Sequence, residues 1–286
     1  MKPFLKWAGG KSRMVPRIEA LLADGGRFLE PFCGSAALLM GMSRRSYGSY
    51  LLADKNDDLI VLYNVVRSGG RRFVDGCRRQ MFVPGNNTRE AYNRLRAEFN
   101  MPESKADPER RSMLFVYLNR FCYNGLCRYN NSGGFNVPFG SQASPYFPET
   151  ELLAFAEKSP VADFVRADFR EIMALAGDGD VAYCDPPYAP LSPTASFESY
   201  AIGGFGERDH ADLADHCFAA AARGAHVVLS NHDTPLTRRL YAGARVEEIA
   251  VTRSISGNGA TRGKADEILV VFEPGLARRV PGARAA

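Results

Sequence analysis

The residues best suited to chemistry form the tetrapeptide Asp185-Pro186-Pro187-Tyr188, which directly follows the apolar run 181–184. An amine on an aromatic ring is a poor nucleophile, because its lone pair is conjugated into the ring. A carboxylate and a backbone carbonyl can accept its two N–H groups and aim the lone pair at a methyl donor. Pro186 and Pro187 stiffen the loop, and Tyr188 offers a stacking face. The tetrapeptide favours direct methyl transfer to an amine; a plain turn is the alternative.

A second candidate set consists of the segment 30–35 and Asp54. Gly34 allows close approach of a ligand to the backbone, and Asp54 follows twenty residues later at the end of another apolar run. An acid at this place accepts hydrogen bonds from ribose hydroxyls. The loop lacks the GxGxxG pattern that binds a pyrophosphate. It therefore favours an adenosyl group without phosphates over the dinucleotide of a dehydrogenase, and a tight turn without a ligand is the alternative.

A sheet is needed to position these residues, and the sequence predicts one from short apolar runs bounded by turn residues. The predicted strands are 27–30, 50–54, 164–168, 180–184, 226–230, 246–251 and 267–272. Strands that alternate with helices are typical of a doubly wound, Rossmann-like α/β sheet with helices on both faces. The sequence therefore predicts that fold class.

An insertion interrupts the predicted sheet. Apolar residues recur at helical spacing between 57 and 119, and the segment 120–140 is rich in Asn, Gly and aromatic residues, with a hairpin turn at 132–134. The predicted architecture is a catalytic domain of residues 1–56 and 145–273, an inserted helix-and-hairpin domain of residues 57–144, and a disordered tail of residues 274–286.

Charge is concentrated in this insertion. Residues 67–128 contain 13 Lys/Arg and 6 Asp/Glu, whereas the whole chain has a net charge of +4, so the remainder is slightly acidic. A basic segment on an acidic frame suits binding of a polyanion, because its cations displace counterions from phosphates. The alternative is that the arginine-rich helices only present solvated faces.

Metal sites, disulfides and membrane spans find no support in the sequence. The six cysteines form no CxxC pair, and the four histidines form no HxxxH pair. No run of eighteen apolar residues occurs, and the first residues do not resemble a signal peptide. The expectation is a cytoplasmic protein with reduced cysteines and no metal.

Several segments together closely resemble the DNA adenine methyltransferase (Dam) family, the N6-adenine-specific D12 class. The likeness covers nearly the whole chain apart from the tail. The segments are FLKWAGGK (4–11), LEPFCGSAALL (29–39), ADKNDDLI (53–60), FCYNGLCRYN (121–130), FNVPFG (135–140), CDPPYAPL (184–191), LSNHDT (229–234) and RSISGNGATRGKADE (253–267).

The resemblance implies S-adenosylmethionine as the methyl donor and adenine N6 as the acceptor. It assigns the catalytic loop to Asp185 through Tyr188 and makes Asp185 part of the cofactor pocket as well. The other residues implied at or near the cofactor are Trp7, Lys11, Phe32, Gly34, Asp54 and Asp168. Without the resemblance, a surface charge is the favoured interpretation of Lys11. The alternative for Trp7 is a core aromatic residue, although the flanking Ala-Gly-Gly-Lys segment argues against deep burial.

The resemblance also implies duplex DNA as the substrate, with GATC as the site and the target-recognition hairpin in the insertion. Lys6 and Arg128 would contact guanines, whose O6 and N7 atoms suit cationic donors. Leu126 and Pro138 would contact a thymine methyl group. From the residues alone, Lys6 could be a surface charge and Leu126 could pack within the hairpin.

Base flipping is implied because a stacked adenine amine cannot reach a buried methyl donor. By similarity, Tyr123 would wedge into the duplex where the adenine leaves, Asn124 would hold the backbone, and Arg120 would be a further DNA-binding residue. An aromatic wedge of this kind stabilises the gap in the stack. Packing within the hairpin is the alternative for Tyr123.

One segment departs from the family pattern. Ser141-Gln142-Ala143-Ser144 stands where the family has more basic and aromatic character, which predicts weakened contacts to phosphates or to one base pair. Three possibilities remain open: a monomeric enzyme acting on GATC in duplex DNA, the same chemistry on another DNA sequence or on RNA, and a non-catalytic DNA-binding relative. The basic insertion with a hairpin favours duplex DNA, because the major groove of A-form RNA is too narrow to enter.

Overall fold

The computed structural model describes residues 1–191, 204–251 and 265–278. Its strands are β1 (Arg27–Glu30), β2 (Ser49–Asp54), β3 (Ala162–Arg166), β4 (Asp180–Cys184), β5 (His226–His232), β6 (Arg245–Val251) and β7 (Ala265–Phe272). Its helices are α1 (Val15–Leu21), α2 (Ala37–Gly41), α3 (Asp57–Met81), α4 (Arg89–Asn100), α5 (Pro108–Phe121), α6 (Glu149–Lys158), α7 (Phe169–Leu175), α8 (Glu207–Ala222) and α9 (Pro235–Leu240).

The strands form one seven-stranded sheet in the order β3-β2-β1-β4-β5-β7-β6. β4 is parallel to β1 and to β5, whereas β7 is antiparallel to both β5 and β6. The order is that of a doubly wound sheet, with β7 inserted beside β5. The predicted α/β fold with a Rossmann-like sheet is therefore confirmed.

The central strands follow the predicted bounds closely because their residues are buried on both faces, as the continuous apolar runs indicate. β1 and β4 begin and end where the sequence predicts. β3 differs, since it ends at Arg166 and the predicted strand ran on to Asp168. The side chain of Asp168 caps α7 by accepting a hydrogen bond from the backbone N–H of Arg170 at 2.9 Å, and this capping ends the extended conformation before it.

The chain divides into two compact units. The first comprises Met1–Pro16, Cys33–Ser46 and Leu52–Arg166, and the second comprises Arg17–Phe32, Tyr47–Leu51 and the described part of Ala167–Ala286. The predicted insertion, residues 57–144, lies within the first unit. Its assignment as a separate target-recognition domain stays a prediction.

Helix α5 forms the centre of the first unit. Every residue from Arg111 to Phe121 is buried, so α5 is packed on all sides rather than along one stripe. Helix α3, which precedes it, is interrupted at Gly70, where φ is +50° and ψ is −135°. Only glycine adopts that conformation at low cost, so the predicted helical stretch contains a break that apolar spacing did not indicate.

The predicted hairpin forms with few ladder hydrogen bonds. Its two arms meet in isolated bridges, Cys122 with Phe139 and Tyr129 with Phe135, and its turn contains Gly133 at a φ of +78°. The side chain of Asn100, at the end of α4, accepts from the backbone N–H of Phe135 at 2.8 Å and donates to its carbonyl at 3.0 Å. The side chain of Asn100 thus forms with Phe135 the two hydrogen bonds that the backbone of a neighbouring strand would form in a sheet.

Two predicted segments lie wholly or partly outside the described residues. These are residues 253–264 of the motif 253–267 and residues 279–286 of the predicted disordered tail 274–286.

Candidate active site and nucleic-acid interface

The carboxylate of Asp185, directly after β4, is oriented by the neighbouring strand β5. The hydroxyl of Ser230 donates a hydrogen bond to Asp185 Oδ1 at 2.7 Å, and the hydroxyl oxygen of Tyr183 lies 2.9 Å from Ser230 Oγ. Ser230 has one proton and gives it to the carboxylate, so Tyr183 must donate to Ser230. The chain of donors ends at Asp185, an arrangement that suits an ionised, hydrogen-bond-accepting carboxylate.

The other end of the catalytic loop is held by the next two residues of β5. The backbone N–H of Ala189 donates to Asn231 Oδ1 at 2.9 Å, and His232 Nδ1 lies 2.7 Å from the carbonyl oxygen of Ala189. The rings of Tyr188 and His232 meet edge to face at 4.8 Å. Three consecutive residues of β5 therefore fix a loop of five residues at both ends.

Tyr188 is half-buried and tethered through its hydroxyl. The hydroxyl donates to Glu267 Oε2 at 3.3 Å. Burial, followed by the charge of Asp185, raises the pKa of Tyr188, so the hydroxyl stays protonated over the physiological range. The phenol ring is therefore a fixed, neutral surface beside Asp185.

Sequence reasoning missed the roles of Ser230, Asn231 and His232. The motif 229–234 contributed to the family resemblance, but no role was assigned to it. A usable signal was present: a polar run ends an apolar strand, and such strand ends carry ligand-binding residues in doubly wound sheets.

In the first unit, Asp54 and Gly34 meet as the spacing predicts. Asp54 Oδ2 accepts from the backbone N–H of Gly34 at 3.1 Å, and Oδ1 accepts from that of Asn56 at 2.9 Å. Burial is the largest influence on Asp54 and raises its pKa above the ordinary value of 3.8, while these backbone donors oppose the rise. The acid is therefore rigid, partly desolvated and located at the end of β2.

Trp7 lies against the same loop. Gly34 has a φ of +43°, and a Cβ atom there would stand 2.9 Å from Trp7 Nε1, so glycine is required for this approach. The indole of Trp7 is only half-buried, which argues against the core alternative. Lys11 follows the Gly9–Gly10 turn, and its ammonium group donates to the carbonyl of Gly9 at 2.9 Å.

The two remaining cofactor candidates lie in the second unit. Phe32 stacks on Phe169 with ring centroids 5.5 Å apart. Asp168 caps α7 and forms an ion pair with Arg170 at 3.2 Å. The Asp168 carboxylate therefore already binds groups at the N-terminus of α7.

Among the DNA-binding candidates, Lys6 is joined to the turn at 123–126. The buried side chain of Asn119 accepts from the Lys6 backbone N–H at 2.9 Å and donates to the carbonyls of Lys6 at 2.7 Å and Gly125 at 3.3 Å. The aliphatic stem of Lys6 lies on Gly125, where a Cβ atom would stand 2.6 Å from Lys6 Cβ. Burial, followed by the charge of Arg120, lowers the pKa of Lys6.

The turn itself presents apolar side chains to solvent. Tyr123 is 54% exposed and Leu126 is 38% exposed, which argues against hairpin packing as their role. Asn124 adopts a left-handed conformation with a φ of +54°, and the Tyr123 N–H donates to the carbonyl of Pro138 at 2.8 Å. Pro138 is exposed as well.

Arg128 is exposed on the hairpin and partly oriented. Its Nε donates to Asn136 Oδ1 at 2.8 Å, and the Asn136 N–H donates to the Arg128 carbonyl at 3.1 Å. With Nε engaged, the two terminal nitrogens remain as the fork that suits guanine.

Arg120 occupies a different environment. It is only 8% exposed, donates to the carbonyl of Phe4 and lies over the ring of Tyr146 at 5.6 Å. Burial lowers its pKa. Its predicted contact with DNA stays a prediction, and the contact observed is internal to the first unit.

The described residues contain neither a metal site nor a membrane-spanning helix. No group of three or more His, Cys, Asp or Glu side chains within residues 1–191, 204–251 and 265–278 could hold a metal ion. No helix in these same ranges has the length and apolarity needed to cross a membrane.

The comparison with protein families decides the assignment. The family model described as D12 class N6 adenine-specific DNA methyltransferase matches residues 7–255. The chain belongs to this family. The predicted resemblance is confirmed, and the protein is an adenine-specific DNA methyltransferase.

Curated relatives of this D12-class chain match over nearly its full length. It is 48% identical over 276 residues to the DNA adenine methylase of Vibrio cholerae serotype O1, covering 96% of this chain and 97% of that protein. It is 46% identical over 275 residues to the DNA adenine methylase of Escherichia coli K12, with 96% of each covered. The DNA adenine methylase of Serratia marcescens is 45% identical over 273 residues, with 95% and 98% covered.

A likeness to a solved structure is far weaker. The precorrin-6y C5,15-methyltransferase of Geobacter metallireducens matches with a TM-score of 0.38 and 11% identity, over 94% of each chain. The D12-class assignment does not depend on it.

Proposed function

We propose that the protein transfers the methyl group of S-adenosylmethionine to adenine N6 within GATC in duplex DNA, by flipping the adenine out of the helix. The observation that carries the proposal is the catalytic loop, in which Ser230 and Tyr183 orient the Asp185 carboxylate as an acceptor. The expectations of a monomeric, cytoplasmic enzyme that needs no metal are part of this proposal.

The amine chemistry is assigned to the loop 185–188. The Asp185 carboxylate accepts one N–H of the adenine amine, and a backbone carbonyl of the Pro186–Pro187 segment accepts the other. Both contacts draw the nitrogen lone pair out of conjugation. The neutral ring of Tyr188 stacks on the base, and its tether to Glu267 limits its motion. Such fixed dipoles and positioning are the largest contributions in direct transfer reactions.

The first unit fits an adenosyl group. Asp54 is a rigid acceptor suited to ribose hydroxyls, and Trp7, which packs against the backbone of Gly34, offers an aromatic wall. Lys11 suits the carboxylate of the amino-acid portion, and Phe32 and Asp168 are assigned a supporting role near the cofactor by the resemblance alone. When bound, S-adenosylmethionine supplies the electrophilic methyl group.

Recognition of DNA is assigned to the exposed turn and hairpin of the first unit. Lys6 and Arg128 contact guanines, whereas Leu126 and Pro138 contact a thymine methyl group. The exposed ring of Tyr123 fills the gap left by the flipped adenine. Asn124 holds the backbone, and Arg120 supports the same surface from inside the unit.

The loop 141–144 bears on how strict this recognition is. It contains no cation and no aromatic residue, and the side chain of Asn87 donates to the carbonyls of Gln142 at 3.0 Å and Ala143 at 3.2 Å. Since base discrimination needs charged or shape-matched groups, we expect one base pair of GATC to be discriminated less strictly than the others.

The test is methyl transfer from labelled S-adenosylmethionine to duplexes that differ only at the GATC site, with the modified base identified by mass spectrometry. The expected result is N6-methyladenine in GATC duplexes, with weaker transfer only to duplexes altered at the one less strictly discriminated base pair. Methylation of every duplex would support the proposed adenine N6 methylation and refute the proposed specificity for GATC. RNA of the same sequence is assayed in parallel, and transfer only to RNA would refute the DNA substrate.

A variant tests the assigned chemistry. Asp185→Ala should abolish transfer while leaving binding of the cofactor to the Asp54 site measurable by calorimetry. Near-normal turnover of this variant would refute the role of the loop. Binding of the cofactor by the unaltered protein without transfer to any nucleic acid would instead indicate a non-catalytic relative.

A further inference from the structure

A buried network centred on Asp58 joins helix α3 to the hairpin. Asp58 Oδ1 accepts from Arg111 Nε at 2.6 Å, and Oδ2 accepts from the hydroxyl of Tyr129 at 2.8 Å. The side chains of Arg111 and Asp58 are only 9% and 11% exposed. Both carboxylate oxygens are engaged, one with a helix of the unit's core and the other with the hairpin.

Arg111 restricts the position of the Asp58 carboxylate, because the guanidinium group is itself held by several contacts. Its Nη1 donates to the carbonyl of Phe99 at 2.7 Å and also to Ser104 Oγ, while the guanidinium lies 4.0 Å from the centroid of the Phe99 ring. An Arg held by a carbonyl, a hydroxyl and an aromatic face has little rotational freedom. Asp58 is therefore a fixed anchor.

The hairpin is attached to the helices on both of its arms. On one arm the ring of Tyr129 packs edge to face on Phe135 at 5.9 Å while its hydroxyl reaches Asp58. On the other arm Asn100 binds both backbone groups of Phe135. Arg128 precedes Tyr129 directly, and successive side chains of an extended segment point to opposite sides. Tyr129 therefore points inward and Arg128 outward.

We propose that Asp58 is a positioning residue for Arg128, acting through the hydroxyl of Tyr129, and so determines specificity at the base pair that Arg128 contacts. This inference rests on the proposed function, in which Arg128 contacts guanine. A bidentate contact requires the guanidinium to be placed to within a fraction of an ångström. The backbone of an arm with few ladder hydrogen bonds needs such a tether to hold that position.

Tyr129→Phe tests the proposal because it removes only the hydroxyl and leaves the ring on Phe135. Tyr117→Phe is the matched control, since its hydroxyl is likewise buried in the first unit and donates at 2.7 Å to the carbonyl of Asn86, a residue outside the hairpin. Each variant is assayed for kcat/KM on GATC duplexes and on four duplexes, each with one base pair replaced. Cofactor affinity and thermal midpoint are measured in parallel.

Tyr129→Phe should lower discrimination about 5- to 20-fold, and at the same base pair at which Arg128→Ala lowers it. Cofactor affinity should not change, and the thermal midpoint should match that of Tyr117→Phe. In the Arg128→Ala background, Tyr129→Phe should have no further effect on discrimination, because the residue it positions is gone.

Four outcomes overturn the inference. They are unchanged discrimination, an equal loss at all four pairs, additive effects with Arg128→Ala, and unfolding beyond that of the control. The first three leave the proposed function intact if the unaltered protein prefers GATC and Arg128→Ala relaxes that preference. An unaltered protein without any preference for GATC would refute the proposed function and this inference together.

Discussion

At the scale of single residues, the two carboxylates assigned to the reaction differ in their partners. Asp54 receives backbone N–H groups from Gly34 and Asn56, whereas Asp185 receives the hydroxyl of Ser230. Backbone donors fix Asp54 in one orientation whatever is bound. A side-chain donor fixes Asp185 only as long as its own orientation is maintained by Tyr183. The two acids are therefore expected to respond differently to substitution of their neighbours.

The raised pKa of Asp54 predicts a pH dependence of cofactor binding. An ionised Asp54 accepts hydrogen bonds from ribose hydroxyls, so binding favours the ionised form and lowers the pKa of the bound state. Because burial raises the pKa of the free state above 3.8, affinity is complete above that raised value and falls as pH decreases through it, by at most about tenfold per pH unit. Calorimetry from pH 4 to 8 measures the dependence, and Asp54→Asn, which does not titrate, is the control. Identical pH profiles of the two proteins would contradict the role of Asp54.

At the scale of elements, β5 has two functions: its apolar residues belong to the sheet, and its last three residues hold the catalytic loop. The sequence predicted the first, because a buried strand produces a local apolar run. It could not predict the second, because the bond from Ser230 to Asp185 joins residues 45 positions apart on neighbouring strands. In the same way, the spacing of Gly34 and Asp54 predicted that they lie close together. No sequence pattern predicted that the side chain of Asn100 would bind the backbone of Phe135 in the hairpin.

Ser230→Ala is predicted to reduce turnover and stability for separable reasons. Asp185 loses a charge-assisted donor and the buried Tyr183 hydroxyl loses its acceptor. We expect kcat to fall roughly 10- to 100-fold and the free energy of unfolding to fall by about 1–3 kcal/mol. Adding Tyr183→Phe removes the unsatisfied hydroxyl, so it should restore most of the stability but none of the turnover. Urea unfolding and single-turnover kinetics measure the two effects. Recovery of turnover in the double variant would show that stability alone was affected.

At the scale of the whole molecule, a small net charge conceals an uneven distribution. The net charge is +4, yet the segment 67–128 carries 13 cationic and 6 acidic residues. Several of its arginines are engaged within the first unit, as Arg110 is with Glu98 at 2.6 Å and Arg111 with Asp58 at 2.6 Å. Charge counting alone therefore overstates the surface available to DNA, and exposure decides which arginines can contact phosphates.

Arg89 and Arg94 are exposed on α4 and are predicted to contact phosphates rather than bases. Each phosphate contact contributes about −0.9 to the slope of log affinity against log salt concentration, independently of sequence. Arg89→Gln with Arg94→Gln should therefore make the slope shallower by about 1 to 2 and weaken all duplexes alike. Arg239→Gln with Arg245→Gln, an equal loss of two charges at exposed ion pairs with Glu207 and Glu247 in the second unit, is the control and should leave the slope nearly unchanged. Titrations of a GATC duplex and a scrambled duplex at several salt concentrations measure these slopes. A selective loss for GATC would mean that α4 contacts bases, and an equal change in the control would mean that overall charge, not this helix, attracts the DNA.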